Sequence, residues 1–360
     1  MTRRELAQEK LTQEKLAPHE LLRVAGLSVQ FRTEDGVVHA VRDVSYSLGR
    51  GEVLGVVGES GSGKSVSSMA ILGLLPGTAR ITGSISFNGA ELVGAPDTAL
   101  RKIRGNDIAM IFQDPMTSLN PVYTVGWQLA EAYRVHHRVS RRAAWSQAVQ
   151  ALELVGIPQP DRRARQYPHE FSGGMRQRVV IAMAVINDPM LIIADEPTTA
   201  LDVTVQAQIL DTLRRIRDET RAGIMLITHD LGVVAGMADR VQVMYGGTIV
   251  ETGGVDEVFE LPRMPYTVGL MGSIPHAGQV GRRLTPIPGT PPSLVHLPQG
   301  CTFSPRCPLA APQCVVAEPA LVEGGSAGHA VRCVRWAELA GMSDPQRLFL
   351  RSETGAGTSA

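Results

Sequence analysis

Residues 52–66 read EVLGVVGESGSGKSV. A short apolar run ends in glycine, two more glycines follow at 61 and 63, and Lys64-Ser65 opens helical spacing that runs to residue 75. The segment 58–65 fits G-x-x-x-x-G-K-[ST], and a strand before it with a helix after it is the setting that pattern requires. Chemistry explains the letters. Glycines let backbone N–H groups close around phosphate oxygens, and a helix N-terminus adds the positive end of its dipole. Lys64 can reach the outer phosphates, and the Ser65 hydroxyl can ligate Mg²⁺. The candidate binding set is Gly58, Ser60, Gly61, Ser62, Gly63, Lys64, Ser65 and Val66. A glycine turn that binds nothing has the same letters, so context separates the two.

The second half of such a site lies in LIIADE, 191–196. An apolar strand there delivers Asp195 to a magnesium shell and sets Glu196 beside an attacking water. Taken alone, these are two acids at a strand end, and the phosphate loop upstream is what gives them meaning. LLRVAGLSVQF and VVHAVRDVSYSL alternate imperfectly as strands. SISFNG, DIAMIF and GIMLITHD read as further strands, and VTVQAQILDTLRRIRDET as a helix. Strands that alternate with helices predict a mostly parallel sheet covered on both faces.

Residues 122–190 depart from that alternation. WQLAEAYRVHH, RRAAWSQAVQALELVGI and MRQRVVIAMAVIND all have helical spacing, which predicts a helical insertion, a subdomain at about 122–185. After 260 proline and glycine become dense, marking a linker into a tail domain. The expected organisation is a mobile extension over 1–20, an α/β P-loop domain over 21–260, a cysteine-bearing C-terminal domain over 261–342 and a polar, frayed end over 343–360. The 360 residues hold 35 basic and 35 acidic side chains, so net charge offers no case for a nucleic-acid or lipid-surface partner. The N-terminal MTRRELAQEKLTQEKLAPHE is charged throughout and has no apolar core, unlike a secretory signal. VVIAMAVI, broken by Asn187 and Asp188, falls far short of the roughly 18 apolar residues of a membrane span. A cytoplasmic protein, soluble by itself and open to a membrane partner, is expected.

Four further motifs carry a family resemblance. FSGGMRQR at 171–178, Gln113 in IFQDP, TALD at 199–202 and His229 in LITHD join the two sites above in a fixed order across roughly residues 21–255. The set resembles that of ABC-type ATPases. The resemblance implies a RecA-like P-loop core with an antiparallel β subdomain and a helical subdomain, here followed by a small cysteine-containing tail domain. It also implies roles. Glu196 acts as general base or orients the water, His229 contacts the γ-phosphate, Gln113 senses Mg²⁺ and the water, and the Asp202 loop crosses to a partner. Ser172, Gly173 and Gly174 hold the γ-phosphate of ATP bound by a second, facing subunit. On physical grounds a serine cap and two glycines at a helix start form an anion site, though an ordinary cap fits the same residues. Phe31 in SVQF matches the position that stacks on adenine, with a core strand residue as the competing reading. Met175 departs from the glutamine common in such signatures.

Longer matches narrow the resemblance. VGESGSGKSV, IFQDPMTSLNP, EFSGGMRQRVVIAMA and ADEPTTALDVTVQAQIL are similar to ATP-binding subunits of bacterial oligopeptide and dipeptide importers, as are PYTVGL at 265–270 and the PIPGTPPSL that precedes the cysteines. That family implies ATP with Mg²⁺ and a peripheral place on the cytoplasmic face of the bacterial membrane. It implies two transmembrane permease subunits, each pressing a cytoplasmic helix into a groove near Gln113. A second homologous ATPase, an extracytoplasmic peptide-binding protein and no nucleic acid complete the expected partners. Nickel and some sugar importers share the subfamily. Two rivals fit less well: a soluble ATPase of iron–sulfur assembly would end soon after the core, and translation or repair proteins carry two cassettes where this chain has one phosphate loop. His136-His137 and RRIRDETR read as solvated helix faces.

All four cysteines lie in the tail, Cys301, Cys307, Cys314 and Cys333, spaced C-x5-C-x6-C-x18-C. A disulfide is disfavoured in a reducing compartment. Structural zinc sites commonly use C-x2-4-C knuckles, absent here, whereas a four-iron cluster takes four thiolates at wider spacing. Free cysteines among Pro305, Pro308 and Pro312 would be a poor core. The importer family's tail resembles cluster-binding tails, which implies a 4Fe–4S cluster ahead of Zn²⁺, structural first and redox-sensing second.

Overall fold

The computed structural model describes residues 20–199, 201–273 and 285–350. The expectations for residues 1–19 and 351–360 lie outside the described residues, as does Ala200 of the TALD motif. In chain order the strands are β1 (Glu20–Thr33), β2 (Gly36–Gly49), β3 (Val53–Val57), β4 (Ala79–Phe87), β5 (Ala90–Glu91) and β6 (Ile108–Ile111). They continue with β7 (Leu191–Asp195), β8 (Gly223–Ile227), β9 (Arg240–Tyr245), β10 (Thr248–Gly254), β11 (Val322–Glu323) and β12 (Ala330–Val331). The principal helices are α1 (Lys64–Ile71), α2 (Asp97–Ile103), α3 (Val125–His136), α4 (Arg141–Leu154), α5 (Gly173–Val185), α6 (Val203–Thr220), α7 (Leu231–Met237), α8 (Val255–Glu260) and α9 (Pro265–Gly272).

The strands form two sheets, one in the order β2-β1-β4-β5 and one in the order β11-β12-β10-β9-β3-β8-β7-β6. The first is antiparallel throughout. In the second, β9, β3, β8, β7 and β6 run parallel, so the C-terminal ends of β3, β6 and β7 and the loop after β8 open on one edge. Ligands of open parallel sheets bind at that edge. The expected P-loop α/β core with an antiparallel sheet and a helical insertion is the fold observed.

Each central strand is apolar on both sides because both sides are covered. Val53, Val57, Ile192, Ala194, Ile224 and Leu226 face a core shared with α3, α4, α5, α6 and α7. Their neighbours Leu54, Val56, Leu191, Ile193, Met225 and Ile227 face the antiparallel sheet and α1. The same coverage hides β9 and β10 from sequence reading. Nearly every residue of VQVMYGGTIVE is buried, so no period of two survives.

The cysteine-bearing tail is not confined to its own core. β12 pairs with β10 through Glu251↔Val331 and Thr252↔Ala330, adding an edge to the main sheet. Such two-residue strands are too short for an alternation signal. Buried Glu251 binds His329 Nε2 at 2.8 Å and accepts the backbone N–H groups of Arg263 at 2.5 Å and Met264 at 3.3 Å, so three segments meet on one carboxylate. Tyr245 at the end of β9, Tyr266 in α9 and Phe303 of the tail interlock with ring centroids 4.5–5.3 Å apart, each at most 1% exposed. Phe349, inside the stretch expected to be polar and frayed, is buried against α9, where it would crowd any side chain at Gly269. Among the described residues no helix is long and apolar enough to cross a membrane.

Phe303→Ala removes the centre of the aromatic cluster. A loss of about 3–5 kcal/mol is expected, with Phe303→Leu costing less, read from denaturant unfolding of the full chain.

Candidate active site

The phosphate loop leaves β3 and enters α1 through Gly63, whose φ is +101°. A Cβ there would stand 2.4 Å from the Ala40 carbonyl oxygen, so only glycine lets the loop pass so close to β2. Ser62, Gly63, Lys64, Ser65 and Val66 then line a cleft of about 440 Å³ together with Ser60, Gly61, Phe31, Gln113, Glu196 and His229. Four motifs from separate parts of the chain thus converge because parallel strands end together. Gly58 and Asp195 lie behind this lining, within the buried base.

Lys64 is 6% exposed, and its ammonium donates to the carbonyls of Gly58 at 2.7 Å and Glu59 at 2.9 Å. Burial pulls its pKa down, while Glu196, Asp195 and Glu59 push the other way. Asp195 ends β7, also 6% exposed, and bonds the Ser65 side chain. Its carboxyl is raised above the usual range, chiefly by burial. A hydroxyl beside a carboxylate is a hard oxygen pair, the donor chemistry that suits Mg²⁺.

Glu196 sits in the left-handed region, with φ +50°, unusual for a residue with a side chain. Its N–H donates to the Ile227 carbonyl at 2.8 Å, which ties the turn to β8. Its carboxylate accepts the Thr199 hydroxyl at 2.6 Å and lies 3.0–3.1 Å from His229 Nδ1. Burial raises its pKa, but those hydrogen bonds with nearby His229 and Lys64 outweigh it and hold the carboxyl below the usual range. Strain of this kind persists where the surroundings over-determine the backbone, commonly at functional sites.

Phe31 stands at the junction of cleft and core. It lines the cleft and packs on the core beneath the antiparallel sheet. Val38, Ala40 and Leu294 extend the same apolar wall, which offers a face to a planar base. Leu294 comes from the proline-rich segment and is held by His39 N–H on its carbonyl at 2.9 Å. Nothing local in the sequence marks it, since its role depends on a contact more than 250 residues away in the chain.

The signature residues lie elsewhere. Ser172 and Gly173 are exposed, and neither these two nor Gly174 or Asp202 lines the cleft. The Ser172 hydroxyl caps α5 by accepting the Met175 N–H at 3.4 Å. Asp202 caps α6 by accepting the Val205 N–H at 2.9 Å. The two helix starts touch, because a Cβ on Gly174 would fall 2.6 Å from Val205 Cγ1. Two positive helix ends therefore share one exposed surface beside Val203, which is 83% exposed.

Cys301, Cys307, Cys314 and Cys333 line one small apolar pocket with Phe303 and Leu309, and all four are free thiols. Burial pushes the Cys307 thiol up to about 12 and Cys333 up to about 11. Among the described residues no three His, Cys, Asp or Glu side chains are gathered closely enough to hold a metal ion. The iron–sulfur and zinc expectations thus gain a common pocket but no metal geometry.

The ABC transporter family matches residues 41–199, and the oligopeptide/dipeptide transporter C-terminal region matches residues 250–314. The chain is 56% identical over 325 residues to the oligopeptide transport ATP-binding protein OppD of Mycobacterium tuberculosis, covering 90% of this chain and 53% of that one. It therefore spans about half the length of that relative. It is 51% identical over 333 residues to a putative peptide import ATP-binding protein of Brucella melitensis, covering 89% and 98%. Among solved structures it is similar to the dimeric ATP-binding cassette MJ0796 bound to ADP and Pi, with TM-score 0.59 and 26% identity over 65% of this chain and 99% of that one. It is likewise similar to cbiO1 of Clostridium perfringens, part of an ABC transporter complex, with TM-score 0.58 and 27% identity over 70% and 95%. From the phosphate loop, the capped signature helix and these likenesses together, the chain belongs to the ATP-binding subunits of the oligopeptide/dipeptide ABC transporter family.

Proposed function

We propose that this chain hydrolyses ATP to power peptide import across the bacterial cytoplasmic membrane, docked peripherally on its cytoplasmic face. The observation that carries the reading is the division of the site. One surface holds a phosphate loop, Glu196, a glutamine and a histidine around a cleft, with Asp195 buried behind it. The exposed start of α5 offers N–H groups with no phosphate of its own. Two such chains, or this chain and a homologous cassette, complete each other when the signature of one faces the cleft of the other.

In that reading the loop N–H groups and Lys64 bind the β- and γ-phosphates, and Phe31 stacks on the base. Ser65 and Asp195, with Gln113 nearby, would hold Mg²⁺, which would supply positive charge to the phosphate oxygens. Glu196, fixed by Thr199 and His229, orients the water. The water oxygen bonds to the γ-phosphorus as the bond from that phosphorus to the β,γ-bridging oxygen breaks. The water's proton passes to Glu196, and ADP and phosphate leave. The signature residues Ser172, Gly173 and Gly174 of the facing cassette add donors to the γ-phosphate, and the Asp202 loop crosses the same seam.

The permease contact is assigned to a second groove of about 300 Å³, where Met110, Phe112, Ala132, Val135, Val180 and Met183 present apolar surface between the sheet and the helical subdomain. Phe112 adjoins Gln113 and is 41% exposed, so an amphipathic helix seated there would touch the residue next to a cleft-lining side chain. Two permease subunits and an extracytoplasmic peptide-binding protein complete the proposed assembly. Peptides are favoured over nickel or sugars by the match of the C-terminal region.

The cysteine pocket carries a second reading. Four thiols and no other metal-binding side chain line it, the donor set of a 4Fe–4S cluster, which would cross-link the tail segments that carry them.

Glu196→Gln should bind MgATP as the wild type does and lose turnover by at least about 10²-fold, checked by equilibrium binding and phosphate release. Wild-type turnover would remove the assignment. Anaerobic purification should yield about four iron and four sulfide per chain. Stoichiometric zinc, or neither metal, would reject the cluster.

A further inference from the structure

Arg306 sits between Cys301 and Cys307, yet its side chain turns away from the cysteine pocket and reaches the phosphate loop. Its guanidinium grips the Glu59 carboxylate with both forks, Nη1 to Oε2 at 2.6 Å and Nη2 to Oε1 at 3.0 Å. Nη1 also donates to the Tyr245 hydroxyl at 3.2 Å and Nε to the Pro288 carbonyl at 2.9 Å, so little of its hydrogen-bonding capacity is left idle. The arginine side chain is 5% exposed and that of Glu59 25%.

Glu59 is the first residue after Gly58 and is held at three points. Its N–H donates to the Tyr266 hydroxyl oxygen at 2.8 Å, its carbonyl accepts Lys64 Nζ at 2.9 Å, and its carboxylate takes Arg306. A carboxylate in a loop that receives a polyanion opposes binding unless its charge is cancelled. Arginine suits that task, since it stays charged and its planar fork matches a carboxylate. Glu59 also attracts the Lys64 ammonium, drawing on the cation that the phosphates need.

We propose that Arg306 is a positioning residue for the nucleotide site: it cancels the Glu59 charge and clamps the start of the phosphate loop, leaving Lys64 and the loop N–H groups to the phosphates. The tail is thereby part of the ATP site although it touches no phosphate. The proposal rests on the reading of 58–65 as the nucleotide loop, which MgATP binding by the wild-type chain tests separately.

The test is a mutant cycle in the full chain, read by equilibrium MgATP binding and steady-state turnover. Arg306→Met should raise Kd and KM for MgATP about tenfold while kcat stays within about twofold. Adding Glu59→Gln should return the affinity to near the wild-type value, because the uncovered carboxylate is then gone. Arg306→Lys should fall between, and it takes the place of Arg306→Met if that variant does not fold. Unchanged affinity in the arginine variants overturns the proposal. So does a loss that Glu59→Gln leaves unrepaired, which would mean that Arg306 only docks the tail.

Discussion

The structure turns on one buried cation. Lys64 must stand at the mouth of a sheet whose strands are apolar on both faces, and its ammonium is satisfied there by the carbonyls of its own loop. That arrangement makes the loop a closed ring of donors and acceptors before any phosphate arrives. It also sets the charge problem of the site, since Glu59, Asp195 and Glu196 all act on the same lysine. In the proposed function phosphate binding is an exchange: the ammonium would give up carbonyl oxygens for phosphate oxygens, with charge as the gain. Everything near the cleft bears on that exchange, from Ser65 on Asp195 to Arg306 on Glu59.

The division of the chemistry between two surfaces follows from the helical insertion. It carries α5 away from the strand ends, so the signature N-terminus shares an exposed face with the start of α6 and not with the cleft. A single chain therefore has the phosphate-loop cleft on one side and the exposed start of α5 on another. The proposed pairing of cassettes joins these halves. The groove beside Phe112 lies between the same insertion and the sheet, which places the proposed permease contact next to Gln113.

The parts of this arrangement that were legible in the sequence are those encoded by neighbours in the chain. The loop 58–65, Asp195-Glu196 and the Ser172 cap each combine a strand or helix end with chemistry a few residues long. Gln113 and His229 were singled out only through the family resemblance, since one glutamine and one histidine after apolar strands carry no local pattern of their own. Leu294, Arg306, Tyr266 and the Glu251–His329 pair were not readable, because each acts across a large gap in sequence and none has a local pattern. β9 and β10 were hidden by burial on both faces, and β11 and β12 by their brevity. The tail's cysteines stand out in the sequence, while the arginine between two of them ties the tail to the phosphate loop.

The central claim is that the cleft is complete for binding ATP and incomplete for hydrolysing it. Ser172→Arg places a bulky cation on the exposed signature surface, away from the chain's own cleft. Measured with equilibrium MgATP binding and phosphate release on the same preparation, the variant should keep wild-type affinity and lose turnover by at least about 10²-fold. Wild-type turnover, or a loss of affinity as large as the loss of turnover, would contradict the account.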